Sequence, residues 1–521
     1  MKKTAYILII AVTIFASCSK DLNQAPISSA TTATFYQQPS DFLQAVNATY
    51  NSLRGYPDRL MFLSEIRSDN IYPTNDVARD PDPVNNFASN IPANTYVEEG
   101  WSADFAGIFK ANTVLDQIKQ NSAAIGSAAL ATRLTAEARF LRAFFYFDMI
   151  RYYGKLPIID HAATADEVSK IGRSSISDVY AFIIADLQFA VANLPLNFSG
   201  TFPAYGATDV GRATKYAAEA ILAQVYMARS GPTYGIEGPG LGLSEWSLAL
   251  PLLQDIISSG LFAFNATPYA FPVPAAGIFS YSNQSPVTNK EAIFDVMFIT
   301  GQSPVLGTDF TWQLVSQSYF NSLPAGNTPA NGALGVPSAS QDLLKAYSTA
   351  PLDTRKAPTL HTSAYTYSGI ADANPFIRKY LDTTKIPTSR FDWGINFIAV
   401  RYTDVLLLKA ECVLNGAPGS QTTDVDAVVN QVRARAGQTA LTNVTKAQLL
   451  DERRREFAGE GSRWFDLQRS GNLITIMNAW EATEDAIKKK MNPVVANYII
   501  YPVPQTQLDA APGLYTQNPG Y

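Results

Sequence analysis

The chain of 521 residues is poor in the residue types that build disulfide frameworks, metal sites and nucleic-acid surfaces. Its two cysteines, Cys18 and Cys412, do not suffice for a disulfide framework, so the fold must be held by its core. Its two histidines, His161 and His361, are too few for a histidine metal cluster. The net charge of -5 argues against nucleic acid as a partner, because phosphate binding needs a concentrated positive surface.

Motifs of nucleophilic and nucleotide-dependent enzymes are also missing. No Gly-x-Ser-x-Gly elbow occurs, and the glycine-rich run at 238–242 follows a helix and a loop rather than a strand. Glycosidase chemistry needs two carboxylates about 5 to 9.5 Å apart, a separation that a sequence cannot measure. We therefore expect a protein that is not an enzyme and uses no cofactor, with a glycan-active enzyme as a remote alternative.

The N-terminus carries the chain's one long, purely apolar run. Lys2 and Lys3 precede 12 apolar or small residues at 5–16. This run is shorter than the roughly 20 residues that span a bilayer as a helix, so it is typical of a cleaved secretory signal. Small residues lead up to Cys18, an arrangement that resembles a lipobox. We predict a signal peptide at residues 1–17 and lipidation of Cys18; the alternative is a plain signal peptide followed by a chance cysteine.

Helical periodicity dominates the rest of the chain. Apolar residues from Leu134 to Met149 recur at spacings of three and four, and phenylalanines widen the stripe, so this helix should be buried on several sides. Thr445 and Gln448 form a capping box at the start of another helix. Further helices are predicted at 104–119, 178–192, 213–228, 244–258, 403–415 and 424–436. Their arrangement in pairs with short joints is typical of a tetratricopeptide-like stack.

Charge is sparse along the chain, at 16%, but dense near its C-terminus. Residues 452–467 read ERRREFAGEGSRWFDL, followed by YPVP at 501–504 and QNPGY at 517–521. This set resembles the C-terminal signature of the SusD/RagB family, the surface lipoproteins that capture nutrients for an outer-membrane transporter. Residues 140–147 and 152–157 resemble the N-terminal half of the same family, so the resemblance covers nearly the whole mature chain.

The resemblance implies a mostly α fold. A tetratricopeptide-like helix-pair stack would carry a loop-rich, ligand-binding region with a few short strands. Residues 18–260 would form the N-terminal helical region, and residues 261–521 the C-terminal region, within one structural unit. The protein would be anchored at the cell surface in the outer membrane, bind an oligosaccharide and deliver it to a SusC-like TonB-dependent transporter. Because the family also contains peptide-capturing members, a peptide ligand is the principal alternative.

Two irregular stretches, 64–99 and 261–400, are the places where the family assembles its ligand site. The second holds 12 of the 31 prolines, and long irregular loops in a compact protein are usually functional. A sugar ring stacks its C–H face on an aromatic ring, while its hydroxyls need paired donors and acceptors. We predict Trp312 and Tyr72 as exposed platforms and Tyr319 as a further ligand-binding aromatic. The residues predicted to bind hydroxyls are Asp69, Asn70 and Arg79.

The C-terminal charged block is predicted to be structural. Trp464 and Phe465 should be core residues, as should Trp101 and Cys412 elsewhere in the chain. The carboxylates of the block should be buried partners of its guanidinium groups, because a buried ion pair fixes geometry. The acids are Glu456, Glu460 and Asp466, and the expected partners are Arg453, Arg454 and Arg463.

Overall fold

Helices make up most of the regular structure. The computed structural model describes residues 35–73, 81–265, 277–324, 338–348 and 351–521. Cys18 and the predicted signal peptide lie outside the described residues. The longer helices are Pro39–Tyr50 (α1), Thr95–Gln120 (α2), Ala128–Tyr153 (α3), Ile176–Asn193 (α4), Lys215–Ser230 (α5), Trp246–Ser258 (α6), Tyr402–Leu414 (α7), Ala427–Arg435 (α8), Lys446–Phe457 (α9), Arg463–Ser470 (α10) and Leu473–Glu484 (α11).

Shorter helical segments connect these elements. The short α-helices are Tyr56–Leu60, Pro81–Asn85, Ser122–Ile125, Ala165–Val168, Phe310–Gln313, Gln317–Ser322, Gln341–Ala346, Lys356–Thr359 and Gln505–Ala510. The 3-10 turns are Asn51–Gly55, Ala207–Asp209 and Ala496–Ile499. The π-helical turns are Met61–Glu65 and Gln421–Asp426.

Long helices that follow one another in the chain pack against one another. Helix α2 packs on α3, α3 on α4, α4 on α5, α5 on α6, and α6 on α7. This serial packing is the tetratricopeptide-like stack that the sequence predicts, and each predicted helix is present. Helix α3 is buried on every side from Phe140 to Tyr153, as its wide apolar stripe indicates. It ends at Gly154, whose φ of +71° and close approach to the Glu237 carbonyl leave no room for a side chain.

Helix α4 has a strongly apolar sequence. Among the described residues it alone is long and apolar enough to cross a membrane, by length and composition. Its buried face, which includes Val179, Ile183 and Leu187, packs between α3 and α5 within the stack. The apolar character of α4 is therefore accounted for by its neighbours in the stack.

The strands are short and form antiparallel pairs. Ile71–Tyr72 (β1) pairs with Ser338–Ala339 (β3), Ala292–Val296 (β2) with Phe397–Arg401 (β8), Leu360–His361 (β4) with Phe376–Ile377 (β7), and Tyr365–Tyr367 (β5) with Ile370–Asp372 (β6). In the β2–β8 pair, Phe294 lies opposite Val400 but Asp295 lies opposite Ile398, so the register shifts between these two residues. Such an irregularity changes the direction in which a strand's side chains point.

The buried residues include those that the sequence assigns to the core. Trp101, Cys412, Trp464 and Phe465 are all buried. A separate, smaller apolar cluster lies in the loop-rich region and is built around Trp312, Phe320, Phe376 and Trp393. The loop-rich region therefore has packing of its own beside the helical stack.

Candidate functional site

The C-terminal charged block is a buried ion-pair network, as predicted, but most of its partners differ from the predicted ones. Asp466 does accept from Arg453, at 2.9 and 3.0 Å. Glu456 instead pairs with arginines outside the block: Arg355, Arg401 and Arg435. Glu460 pairs with Lys379 and Arg401. The prediction treated the block as self-contained, whereas the fold brings cations from residues 355–435 onto it.

Asp69 was predicted to bind a sugar hydroxyl. In the structure it belongs to this ion-pair network, although it lies far from the charged block in the sequence. Both of its carboxylate oxygens accept from Arg463, at 2.8 Å each. Burial opposes ionisation of Asp69, yet the guanidinium groups of Arg454 and Arg463 lower its pKa to about 2. A carboxylate whose two oxygens both accept hydrogen bonds from one arginine has a structural role. The structure thus gives Asp69 a structural role in place of the predicted one.

Asn70 and Tyr72 are also engaged inside the protein. The Asn70 amide donates to Glu65 at 2.9 Å, and its oxygen accepts from Arg454 at 2.9 Å. The Tyr72 hydroxyl donates to Asp485 at 2.5 Å, and the ring is buried. The expectation that Tyr72 is an exposed platform is therefore wrong, because the β1–β3 pair draws this segment into the core.

Trp312 is likewise not the exposed platform that the sequence suggested. It is 1% exposed, and the guanidinium of Arg390 lies 4.8 Å from its ring centroid. Tyr319 is half-buried and packs on His361 and Phe376, with ring centroids 4.7 and 5.1 Å apart. The small cluster of the loop-rich region needs these rings to fill its interior. Arg79 lies outside the described residues.

A cleft of 550 Å³ lies close to these residues and has the composition of a binding site. One wall is the N-terminal part of α2, with Tyr96 and Glu99, and another is the π-helical turn that carries Phe62. The third wall is the helix Phe310–Gln313 with the preceding Asp309. The cleft therefore combines residues from both irregular stretches with a segment that precedes them. Its volume is in the range of small-molecule sites, about 300 to 1,000 Å³.

Two stacked aromatic rings form the apolar part of the cleft. The rings of Phe62 and Tyr96 have centroids 3.7 Å apart and planes 17° apart. Phe62 is buried, whereas Tyr96 is only partly covered. The Tyr96 ring is fixed at the start of α2, where its backbone N–H donates to the capping side chain of Asn94 at 3.0 Å. The pair therefore presents a fixed aromatic surface to the cleft.

Two carboxyl groups, those of Asp58 and Asp309, form the polar part. Burial raises the pKa of Asp58 well above its usual range, and the adjacent carboxyl of Asp309 raises it further. Burial and a neighbouring carboxyl both disfavour a negative charge, so the protonated form of Asp58 is favoured. Arg59 also lines the cleft, but it already binds Asp104 at 2.6 Å and Asp148 at 3.3 Å.

Hydrogen bonds to backbone groups hold the third wall of the cleft in place. Arg54 donates to the carbonyls of Val305 and Gly307, at 3.1 and 2.8 Å. Thr308 and Trp393 exchange two backbone hydrogen bonds of 3.0 Å each. Asp309 follows directly and begins the helix that ends at Gln313. The buried Trp393 and Trp312 thus position Asp309 and Gln313 rather than touching the cleft themselves.

This arrangement suits a neutral, polyhydroxylated ligand. The ring pair offers an apolar face, and a carboxyl group whose protonated form is favoured, that of Asp58, can both donate and accept. Gln313 contributes a side-chain amide to the lining of the cleft. The predicted stretch 64–99 includes Tyr96, but the sequence analysis did not select Tyr96 or the other residues that line this cleft, Phe62, Asp58 and Asp309. The sequence contained one signal for this cleft: Tyr96 and Glu99, an aromatic residue and an acid, lie near the start of a long helix.

The chain matches known families and structures along most of its length. The family model described as "SusD family" matches residues 366–521, and the one described as "Starch-binding associating with outer membrane" matches residues 22–227. A SusD-like protein of Formosa agariphila is 27% identical over 100% of both chains. A SusD-like protein of Bacteroides ovatus is 28% identical, over 88% of this chain and 81% of the relative.

Solved structures share the fold at low sequence identity. Surface glycan-binding protein A from Bacteroides fluxus has a TM-score of 0.73 and 22% identity, over 95% of this chain and 100% of its own. Surface glycan-binding protein A from Bacteroides thetaiotaomicron, solved in complex with laminarihexaose, has a TM-score of 0.73 and 22% identity, over 93% of this chain and 100% of its own. With the family matches at both ends and the shared helical fold, the chain belongs to the SusD/RagB family.

Proposed function

We propose that the protein is a cell-surface lipoprotein that binds an oligosaccharide in the 550 Å³ cleft and delivers it to a SusC-like TonB-dependent transporter. The observation that carries the ligand class is the stacked pair of Phe62 and Tyr96 beside the carboxyls of Asp58 and Asp309. Aromatic faces flanked by hydrogen-bonding groups are what a sugar ring requires. Arg79 and Tyr319 stay predicted ligand contacts, whereas the buried Trp312 is reassigned to support the third wall.

The comparisons support the same proposal. One matching family model is described as starch-binding and associated with the outer membrane, and a structural neighbour was solved with laminarihexaose.

Calorimetric titration with laminarihexaose, maltohexaose and other neutral hexasaccharides tests the ligand class. If a glycan binds, Tyr96→Ala should weaken it about tenfold, because an aromatic contact contributes roughly 0.5 to 1.5 kcal/mol beyond its buried area. The matched control is Tyr367→Ala, which removes an exposed tyrosine from the β5–β6 hairpin. Equal losses in the two variants would place the ligand elsewhere. Binding of peptides in place of every glycan would favour the peptide alternative, and release of shorter sugars would indicate an enzyme.

The anchor is tested separately through Cys18. The variant Cys18→Ala should be released as soluble, folded protein, because acyl chains contribute roughly 0.8 kcal/mol per buried methylene and no other anchor is proposed. Fractionation should be done in cells that lack the transporter, so that a protein partner cannot hold the variant at the membrane. Retention of Cys18→Ala in the membrane fraction would contradict the lipoprotein assignment.

A further inference from the structure

Arg390 is unusual among the arginines that the structure describes. It makes no ion pair and no hydrogen bond with any described residue, and its Nε is buried without a partner. Nearly all other described arginines pair with a carboxylate or donate to a carbonyl, as Arg142 and Arg54 do. An arginine has five N–H donors and does not lose its charge in proteins. Arg390 therefore carries a charge that no described carboxylate pairs with.

Two aromatic rings hold the guanidinium of Arg390 in place. Its central carbon lies 4.8 Å from the centroid of the Trp312 ring and 4.4 Å from that of the Phe391 ring. Trp312 is buried, whereas Phe391 is 46% exposed and Arg390 itself is partly exposed. Cation–π contacts of this kind orient a guanidinium but use none of its N–H donors. The donors of Arg390 are thus positioned beside an aromatic ring that is partly open to solvent.

The segment that carries Arg390 is positively charged. Residues 383–391 read TTKIPTSRF, so they contain two cations, Lys385 and Arg390, and no acid. Lys385 is exposed, and it too lacks an ion pair within the described part of the chain. Ile386, between the two cations, packs on the small apolar cluster of the loop-rich region and so attaches the segment to it. In a chain of net charge -5, a positive segment of this kind favours an anionic ligand.

The two carboxylates that flank this segment in the sequence bind other groups. Asp382 accepts from the backbone N–H and the hydroxyl of Thr384, at 2.9 and 2.7 Å. Asp392 accepts from the hydroxyl of Thr300 and the backbone N–H of Gly301, at 3.0 and 2.9 Å. Both carboxylates therefore hold loop conformations. An anion from outside the protein can bind Arg390 without displacing an ion pair.

We propose that Arg390 and Phe391 form a binding site for an acidic sugar, with a carboxylate or sulfate group at the guanidinium and the C–H face of the sugar on the Phe391 ring. A planar guanidinium matches the oxygen geometry of such anions, and an aromatic ring supplies the apolar face. The choice of a sugar rather than another anion rests on the proposed function. The site is separate from the 550 Å³ cleft, because neither residue lines that cleft.

Calorimetric titration with oligogalacturonate, a chondroitin sulfate tetrasaccharide and a carrageenan tetrasaccharide tests this site. At least one of these acidic sugars should bind saturably. Arg390→Gln should weaken that binding about tenfold or more, because hydrogen bonds between a charged donor and a charged acceptor are lost. Arg390→Lys keeps the charge but not the planar fork, so its affinity should be intermediate. Phe391→Ala should also weaken the binding, since the apolar face is removed.

The matched control is Arg139→Gln. Arg139 is also a partly exposed arginine beside an aromatic ring, with the Phe189 centroid 4.5 Å away, but it pairs with Asp186 at 3.3 Å. Affinity for the acidic sugar should be unchanged in this variant. Circular dichroism reports that each variant is folded. Laminarihexaose, titrated in parallel, tests the cleft separately.

The absence of saturable binding by every acidic sugar, or equal losses in Arg390→Gln and Arg139→Gln, would overturn the proposal. Inorganic sulfate that binds as tightly as the acidic sugars would reveal a general anion contact and would equally contradict a sugar site. If an acidic sugar binds through Arg390 while no neutral glycan binds, the proposed function of the cleft fails and this site stands.

Discussion

At the scale of single residues, aspartate carboxyl groups occur in two different environments in this protein. Asp69 has two cationic partners and a pKa of about 2, whereas Asp58 and Asp295 are acids with raised pKa values that line cavities. A carboxylate with cationic partners stays charged and holds the structure, whereas burial that cationic partners do not offset favours the neutral acid. Burial and partners, which the sequence does not display, separate the two groups.

The ion pair between Asp69 and Arg463 should contribute strongly to stability. Arg463→Ala is expected to lower the free energy of unfolding by about 3 to 5 kcal/mol, because it leaves a buried carboxylate without its bidentate partner. Asp466→Ala should have a similar effect, since it removes the partner of both Arg453 and Arg469. Urea denaturation followed by circular dichroism measures both changes.

An exposed pair provides the control. Lys170 and Asp166 are 2.6 Å apart, but both side chains are mostly in solvent. Lys170→Ala should cost only about 0 to 1 kcal/mol, as is usual for surface pairs. If Arg463→Ala were no more destabilising than Lys170→Ala, the buried network would not be a determinant of stability.

Asp295 should make stability depend on pH. Its pKa is about 8 in the folded protein and about 4 when the chain is unfolded, so folding favours its protonated form. Its favourable contribution is present below about pH 4 and is lost as pH rises through 8. Relative to the parent, Asp295→Asn should therefore become steadily more stable between about pH 4 and pH 8. Urea titrations across this range measure the difference, and a difference that is constant with pH would show that Asp295 ionises normally.

At the scale of elements, the turn between α9 and α10 depends on a carboxylate from far away in the sequence. Glu65 accepts from the backbone N–H groups of Gly459 at 2.8 Å and Gly461 at 3.0 Å. Both glycines have positive φ, +82° and +76°. This turn sets the direction of α10 and so the position of Arg463, which begins that helix.

Gly459→Ala should therefore be strongly destabilising. A Cβ at this position would lie 2.7 Å from Cγ2 of Ile377, in addition to the strain of a positive φ. Gly126→Ala is a matched control, because Gly126 has a φ of +69° but nothing within 4 Å of its Cβ position. We expect Gly126→Ala to cost about 1 to 2 kcal/mol from backbone strain, and Gly459→Ala clearly more. Equal melting temperatures for the two variants would contradict the close packing of this turn.

Prediction from the sequence was most accurate for the secondary-structure elements. Periodicity located the helices to within a few residues at most ends; the larger differences are at α2, which begins at Thr95 rather than residue 104, and at α3, which begins at Ala128 rather than Leu134. The first turns of α2 lie among Asn, Glu and Gly residues, so they carry a weak apolar pattern. The candidate site was harder to predict, because it depends on distant contacts. Asp69 meets a residue 394 positions away, and Trp312 is buried by Arg390 and its aromatic neighbours.

At the scale of the whole molecule, the C-terminal segment packs against residues from much earlier in the chain. Arg67 donates to the Tyr521 hydroxyl at 3.3 Å, across 454 positions of sequence. The Asn518 amide donates to the carbonyls of Tyr153 and Tyr501, at 2.9 and 2.7 Å. The QNPGY ending is therefore part of the fold, and its place in the family signature has a structural explanation.

Asn518→Ala should lower the free energy of unfolding by about 1 to 3 kcal/mol, because two buried carbonyls lose their donor. Gln507→Ala, in the partly exposed helix Gln505–Ala510, should change stability by less than about 0.5 kcal/mol. Differential scanning calorimetry of both variants measures the effect. A melting temperature of Asn518→Ala equal to that of Gln507→Ala would show that the chain end is dispensable.

The packing of the C-terminal segment against residues from much earlier in the chain has a consequence for biosynthesis. Asp69 and Glu65 cannot bind their partners until residues 459–463 have been made, and Arg67 lacks one of its contacts until Tyr521 is present. Residues 65–69 therefore complete their contacts only after the segment that contains Gly459 and Arg463 has been made, so this part of the molecule closes late in synthesis. A chain truncated before residue 459 would lack these closing contacts, and we expect it to be more open to proteases than the parent.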